Sequence, residues 1–357
     1  MTKLKIAVAG VGNNISALIQ GAQFYAELGK QGVPESQFPG VRCPRIGGLG
    51  VADLEVVAAY DVNEQKIGLD VNDAILVAPN NYPRLDVTLS PTGVRVVKGV
   101  RPDPTSVSSE ARPLTDEQPT DDEARVIRSL QASGAEVLLY SLPTGLQAAV
   151  ESYARCAFYA GVAFVNCTPD VVTGHRAVLA AFEAANVPLL GDDLASHLGS
   201  SVIHKTILEL LGRRGISLQS SYQINFGGNE DFRNLRDNGA SKAKSKKNAL
   251  HGTQTDRVEV IPSAGYIASL QDTKVAIVNV EGEGWAGTGV SLDLRLRVQD
   301  SSNAAGVIID LVRYAGEARR AGKGGFVEAA APLLKSPPRF KTNGVDRSQA
   351  VETRVQP

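Results

Sequence analysis

LKIAVAGVGNNIS (residues 4–16) opens as an apolar run of six and closes in a turn built on Gly10 and Gly12. An apolar helical pattern through Ala17, Leu18, Gly21 and Ala22 follows it. A short apolar run bounded by glycines reads as a buried strand, and strand, glycine turn, helix is the setting in which G-x-G becomes a dinucleotide-binding signal. Gly10 permits the tight turn, and Gly12 lets the backbone approach a pyrophosphate at the helix N-terminus. Ile15 stands where Gly or Ala usually completes the fingerprint, so the turn alone fits a cofactor site or a plain βα connection. The run is too short to span a membrane and lacks a secretory cleavage site.

Further along, EVVAAY (residues 55–60) is a second apolar strand ending on Asp61, placed to meet the ribose of a dinucleotide. The Gly/Pro-rich segment 32–50 explains the long gap before it. Asp61 also fits a helix N-cap ahead of NEQKIGLD. Residues 101–124 are rich in Pro, Ser, Thr and acids, and read as a mobile surface loop. Alternation then resumes: helix 126–132, strand 136–140, helix 147–160, strand 162–166, helix 175–185, strand 187–190, helix 200–213. Repeated βα units with apolar strands predict a doubly wound parallel sheet. After Gly191 the strands come in runs (218–226, 257–261, 274–281, 290–298). The last alternates strictly at Leu292, Leu294, Leu296 and Val298, as a half-buried antiparallel strand does. The expected fold is therefore α/β: a Rossmann domain plus an α+β sheet domain. A long helix over 304–321 and a Pro-rich end complete the chain.

Composition narrows the function. At 357 residues the chain has room for two domains, at roughly 100–200 residues each. Its 43% hydrophobic and 21% charged content is that of an ordinary globular enzyme, and a net charge of −1 gives no general pull toward nucleic acid or anionic membrane. Cys43, Cys156 and Cys167 have no metal-ligand spacing, and an odd count argues against a disulfide framework; a reducing cytoplasm suits them. Four lysines fall within six residues, at 242, 244, 246 and 247. Lys242 and Lys246 share a helical face, where they repel unless an anion lies between them; otherwise they form a solvated basic face or a nucleic-acid tether. The histidines show no partner at metal-ligand spacing, and no metal site is assigned.

Nine motifs, in order, resemble the inositol-phosphate synthases in their shorter prokaryotic form. They are GVGNNISALIQG (10–21), AAYDVNEQKIGLDVNDAI (58–75), GVAFVNCTP (161–169), GDDLASHLGSSVIHK (191–205), YQINFGGNEDF (222–232), SKAKSKK (241–247), DTKVAIVNVEG (272–282), QDSSNAAGVIIDLVR (299–313) and LLKSPP (333–338). The resemblance implies an NAD-binding Rossmann domain over 1–190, a catalytic and oligomerisation sheet domain over 191–305, and a return to the first domain over 306–357. It implies a homotetramer acting on a hexose phosphate, without nucleic-acid or membrane partners. The implied chemistry is redox-neutral: C5 of glucose 6-phosphate is oxidised by NAD, C6 is deprotonated, the enolate closes onto C1, and the ketone is reduced again.

Such a sequence needs fixed ammonium groups beside developing oxyanions. By resemblance, Lys242 serves the C1 oxygen, Lys246 the phosphate, Lys274 the C5 hydroxyl and Lys335 the C5 oxyanion. Asp272 and Asp300 match acids that orient these lysines. Ser196, His197, Asn225 and Asn229 fall on the substrate, and Gly10, Gly12, Asn13, Asn14, Asp61, Ser141 and Asp192 on the cofactor. Two substitutions stand out: where the family carries G-D-D-x-K-S-Q, this chain has Ala195 for the lysine and His197 for the glutamine. They leave open a paralogue that closes fructose 6-phosphate, C6 to C2, into a five-membered cyclitol phosphate. A non-catalytic NAD-binding homologue predicts a broken lysine set, whereas all four lysines are present.

Overall fold

The computed structural model describes residues 3–101, 118–238, 250, 255–338, 341–342 and 345–346. Its larger sheet has seven strands, all parallel, in the order β13-β8-β7-β6-β1-β4-β5. These are β1 (Leu4–Ala9), β4 (Leu54–Asp61), β5 (Val96–Lys98), β6 (Val137–Tyr140), β7 (Ala163–Asn166), β8 (Pro188–Leu190) and β13 (Gly325–Phe326). The short hairpin strands β2 (Arg45–Ile46) and β3 (Leu49–Gly50) stand apart. Both faces of the parallel sheet are covered, as the unbroken apolar strands require. Ile6, Val8, Leu139 and Val165 share one core with helices α1 (Asn13–Lys30) and α8 (Asp300–Arg320). Ala7, Ala9, Leu138, Tyr140 and Phe164 point the other way, into α3 (Asp121–Ser133), α4 (Gln147–Ala160) and α5 (Arg176–Ala184).

Two features depart from expectation. The stretch assigned to a surface loop already contains the start of α3. Thr120 and Glu123 form a reciprocal capping box, and three acids in the first turn suit the helix dipole, so the helix begins at Asp121. Residues 102–117 lie outside the described residues. The Pro-rich end supplies β13, which extends the parallel sheet beside β8. The 32–50 insertion is anchored on α8, where the fully buried Arg313 pairs with Asp310 and donates to the carbonyls of Cys43, Pro44 and Leu49.

The second sheet has four strands, β10-β9-β11-β12, comprising β9 (Ser217–Gly227), β10 (Val258–Tyr266), β11 (Thr273–Glu283) and β12 (Gly289–Gln299). The β9–β10 pair is parallel and the rest antiparallel. Helix α6 (Ser200–Arg213) packs Leu208 and Leu211 onto Val278, Val280 and Val260 from one side. Helix α7 (Glu230–Asn238) follows the glycine break after β9 and packs beside β10. Helix α8 starts at the end of β12, runs unbroken past position 305 and packs against α1 and the parallel sheet, so the two sheets are joined by one rigid element.

Candidate active site

From β1 the chain steps outward to β4 and β5, then crosses back to β6 and continues to β7, β8 and β13. The order reverses between β1 and β6, and in doubly wound sheets the crevice at such a point receives the ligand. The glycine turn sits there. Gly10 has φ +90°, and a β-carbon on it would stand 2.6 Å from the Ser141 carbonyl oxygen, so only glycine closes this turn. Helix α1 begins after Gly12 with no side chain capping it, and a β-carbon on Gly12 would meet nothing within 4 Å. An uncapped helix start facing open space at the switch point fits a diphosphate.

The flanking side chains are committed in detail. Asp61 accepts the Val11 N–H at 2.7 Å and, through its other oxygen, the N–H groups of Val62 (2.7 Å) and Asn63 (2.9 Å). It caps no helix: turns follow it, and the next helix, α2 (Val71–Ala74), is capped by Asp70. Asn14 donates to the Ser141 hydroxyl at 3.2 Å. The side chain of Asn13 is fully engaged by its neighbours. Its amide donates to Asn81 (2.7 Å) and Asp272 (3.1 Å), and its oxygen accepts the N–H groups of Asn81 and Tyr82. Only its backbone is left to face a nucleotide. Asp192 is enclosed: it accepts from Asn166, from the Val172 and Thr173 N–H groups and from the Thr173 hydroxyl. Burial still pushes its pKa up to about 6. It shapes the loop after β7 rather than presenting a free carboxylate.

Two lysines converge from opposite ends of the chain. Lys274, at the start of β11, donates to Asp300 at 3.1 Å, and Lys335 donates to Asp193 at 2.9 Å. The second pair exists because the segment after β8 runs beside 333–336. The Ala195 N–H donates to the Leu333 carbonyl, the Lys335 N–H to Asp193 and the Ser336 N–H to Asp192. Lys274 and Lys335 line a cleft with Ala195, Ser196, Gly199, Ser200, Ser201 and Val202. Its floor is therefore the N-terminus of α6, whose N-cap Gly199 offers no side-chain acceptor. Two ion-paired ammonium groups thus share the cleft with an uncapped helix start, where backbone N–H groups and the helix dipole favour an anion.

Behind it lies the buried Asp272, which accepts from Ser301 (hydroxyl 2.6 Å, N–H 3.1 Å), Gln299 (2.8 Å), Asn13 (3.1 Å) and Asn229 (3.2 Å). Burial, and secondarily the neighbouring Asp300, raises its pKa. Asn229 donates to Asp300 as well, at 3.2 Å. Asp272 thus acts on Lys274 through Asn229 and Asp300. This network ties the glycine turn, through Asn13, to the lysine that lines the cleft.

Of the expected substrate contacts, Ser196 lines the cleft and His197 does not. The ring of His197 lies against Gly306 of α8, and its N–H donates to the Asn303 carbonyl. Asn225 is fully buried, donating to the Ile261 carbonyl and accepting from Ser200, so it fixes the start of α6 against β9 and β10. Lys242 and Lys246, with Lys244 and Lys247, lie outside the described residues. Asp193, in the G-D-D motif, carries no local sequence signal for its pairing with Lys335. No helix among the described residues is long and apolar enough to cross a membrane.

Comparison with known proteins agrees with this geometry. Residues 199–301 match the family model of myo-inositol-1-phosphate synthase, a span that holds the start of α6, Lys274, Asp272 and Asp300. Inositol-3-phosphate synthase of Mycolicibacterium smegmatis is 35% identical over 99% of this chain and 98% of its own length. The enzyme of that name from Mycobacterium tuberculosis H37Rv is 36% identical over 98% and 95%. The crystal structure of Ari2 superposes with a TM-score of 0.83 at 56% identity, covering 94% of this chain and 93% of that one. End-to-end similarity at this level establishes that the chain belongs to the myo-inositol-1-phosphate synthase family.

Proposed function

We propose that the protein is an NAD-dependent carbocyclase that converts glucose 6-phosphate to inositol phosphate without net redox change, working as a cytoplasmic homotetramer. The observation that carries this reading is the pairing of Lys274–Asp300 and Lys335–Asp193 over the start of α6, coupled through Asp272 and Asn13 to the nucleotide turn. The backbone of Gly10–Asn14, with Asp61 and Ser141 beside it, would hold NAD, which would supply reversible hydride chemistry at C5. Lys274 hands a proton to Asp300, 3.1 Å away, and as the neutral amine accepts the proton of the C5 hydroxyl. Lys335 stabilises the C5 oxyanion, and its partner Asp193 keeps the ammonium oriented. The phosphate sits at the start of α6, by Ser200 and Ser201; Lys246 serves the phosphate and Lys242 the C1 oxygen.

A second reading has its own support. Ala195 lines the cleft where the family motif carries a lysine. Loss of a cationic donor beside the phosphate favours a differently seated sugar, and fructose 6-phosphate closing C6 onto C2 gives a five-membered cyclitol phosphate. Both readings are tested by one experiment. The purified protein with NAD receives carbon-13-labelled glucose 6-phosphate or fructose 6-phosphate, and products are followed by NMR. A six-membered cyclitol phosphate supports the first reading and a five-membered one the second. Accumulating NADH without a cyclitol sinks both.

A further inference from the structure

Val11, the central residue of the glycine turn, is held from both sides by buried groups of opposite charge. Its N–H donates to Asp61, 7% exposed. Its carbonyl accepts from the Lys66 ammonium at 2.7 Å, and Lys66 is 3% exposed. The same carbonyl also accepts from the Asn80 amide at 3.0 Å, and Lys66 reaches the Asn80 oxygen at 2.9 Å. Asn80 alone satisfies this carbonyl, so the hydrogen-bond inventory of the turn does not need a charged donor. A buried ammonium is costly to keep. Its charge has one evident use: without it, the Asp61 carboxylate would stand uncompensated beside the place where a diphosphate binds.

We propose that Lys66 is a positioning residue for the nucleotide. It draws the Val11 carbonyl inward so that the N–H groups at the start of α1 face the crevice, and it neutralises Asp61 beneath the diphosphate. This rests on the reading of the turn as an NAD site. A lysine that merely braces the fold would affect every ligand equally, whereas this role concerns phosphate charge.

The test compares wild type, Lys66→Met and Lys66→Gln for binding of ADP-ribose by calorimetry and of adenosine by ligand-observed NMR, with melting curves recorded without ligand. The expected result is a loss of about tenfold or more in ADP-ribose affinity in both variants, with adenosine binding held within about twofold. Lys66→Gln keeps a donor on the Val11 carbonyl, so it decides alone should Lys66→Met fail to fold. Unchanged ADP-ribose affinity, or equal losses for both ligands, overturns the proposal. A wild-type protein that binds neither ligand overturns the cofactor reading itself, and the role of Lys66 with it.

Discussion

Lys335 and Asp193 show how little of a buried ion pair can be seen along a chain. Each sits in a recognisable motif, G-D-D and L-L-K-S-P-P, yet they lie 142 positions apart and meet only because the segment after β8 runs alongside 333–336. No spacing rule covers that distance, so the motif marks the lysine while nothing along the chain marks its partner. Both side chains are almost wholly enclosed, and removing either strands the other. Lys335→Ala and Lys274→Ala are each expected to lower turnover by about a hundredfold or more, the scale of losing a fixed oxyanion partner. Neither lysine touches the glycine turn, so ADP-ribose affinity should stay within a few-fold. Steady-state kinetics beside calorimetry checks this, and turnover unchanged in both variants would remove the assignment. Lys335→Arg should not rescue, because a planar fork does not fit a cavity shaped for a compact ammonium.

The elements themselves were largely legible, and the turns between them were not. Helix 200–213 and helix 147–160 were read to the residue, because each begins and ends at a sharp change in pattern. The start of α3 was hidden by polar composition, since the capping box that opens it uses the residue types that mark loops. The loop after β8 is a stronger case. Asp192 was expected at the cofactor, yet it accepts from Asn166 and from the backbone and hydroxyl of Thr173, holding residues 170–174. Its pKa, pushed up to about 6 by burial from a reference of 3.8, has a definite consequence for stability. Between these values the folded form keeps a proton that the unfolded chain has lost. Ionisation therefore costs stability as pH rises through the window, reaching about 3 kcal/mol above it. The melting temperature of wild type should fall relative to that of Asp192→Asn as pH goes from about 4 to about 6.5. Parallel curves for the two proteins would exclude a raised Asp192. In the glycine turn, Gly10→Ala should cost more than about 1 kcal/mol, from its positive φ and the contact with Ser141, and should abolish ADP-ribose binding.

At the scale of the whole molecule, among the described residues, α6 packs on one face of the second sheet. Val278, Val280 and Val260 point into α6. By the strand period, Ile277 points to the opposite face, where its register neighbours are Ile224 and Arg295. Tyr222 lies two residues from Ile224 on that same face and is exposed, and Ile261 pairs with Ile224 from β10. An apolar strip crossing three strands and edged by arginine is the composition of an interface between copies rather than of a solvated surface. We expect this face to carry the assembly contacts of a homotetramer. Ile224→Glu or Ile277→Glu places a charge in the middle of the strip without touching α6, so light scattering should report a smaller particle whose chains remain folded. A wild-type monomer, or a variant of unchanged mass, would move the contacts elsewhere. The consequence reaches the cleft. β9 ends at Gly227 and leads into Asn229, and β11 begins with Lys274, so the sheet that carries the strip also positions Lys274 at the cleft. If the copies hold that sheet in shape, the Ile224→Glu particle should lose turnover while keeping ADP-ribose affinity, because the parallel sheet that builds the nucleotide turn takes no part in the strip.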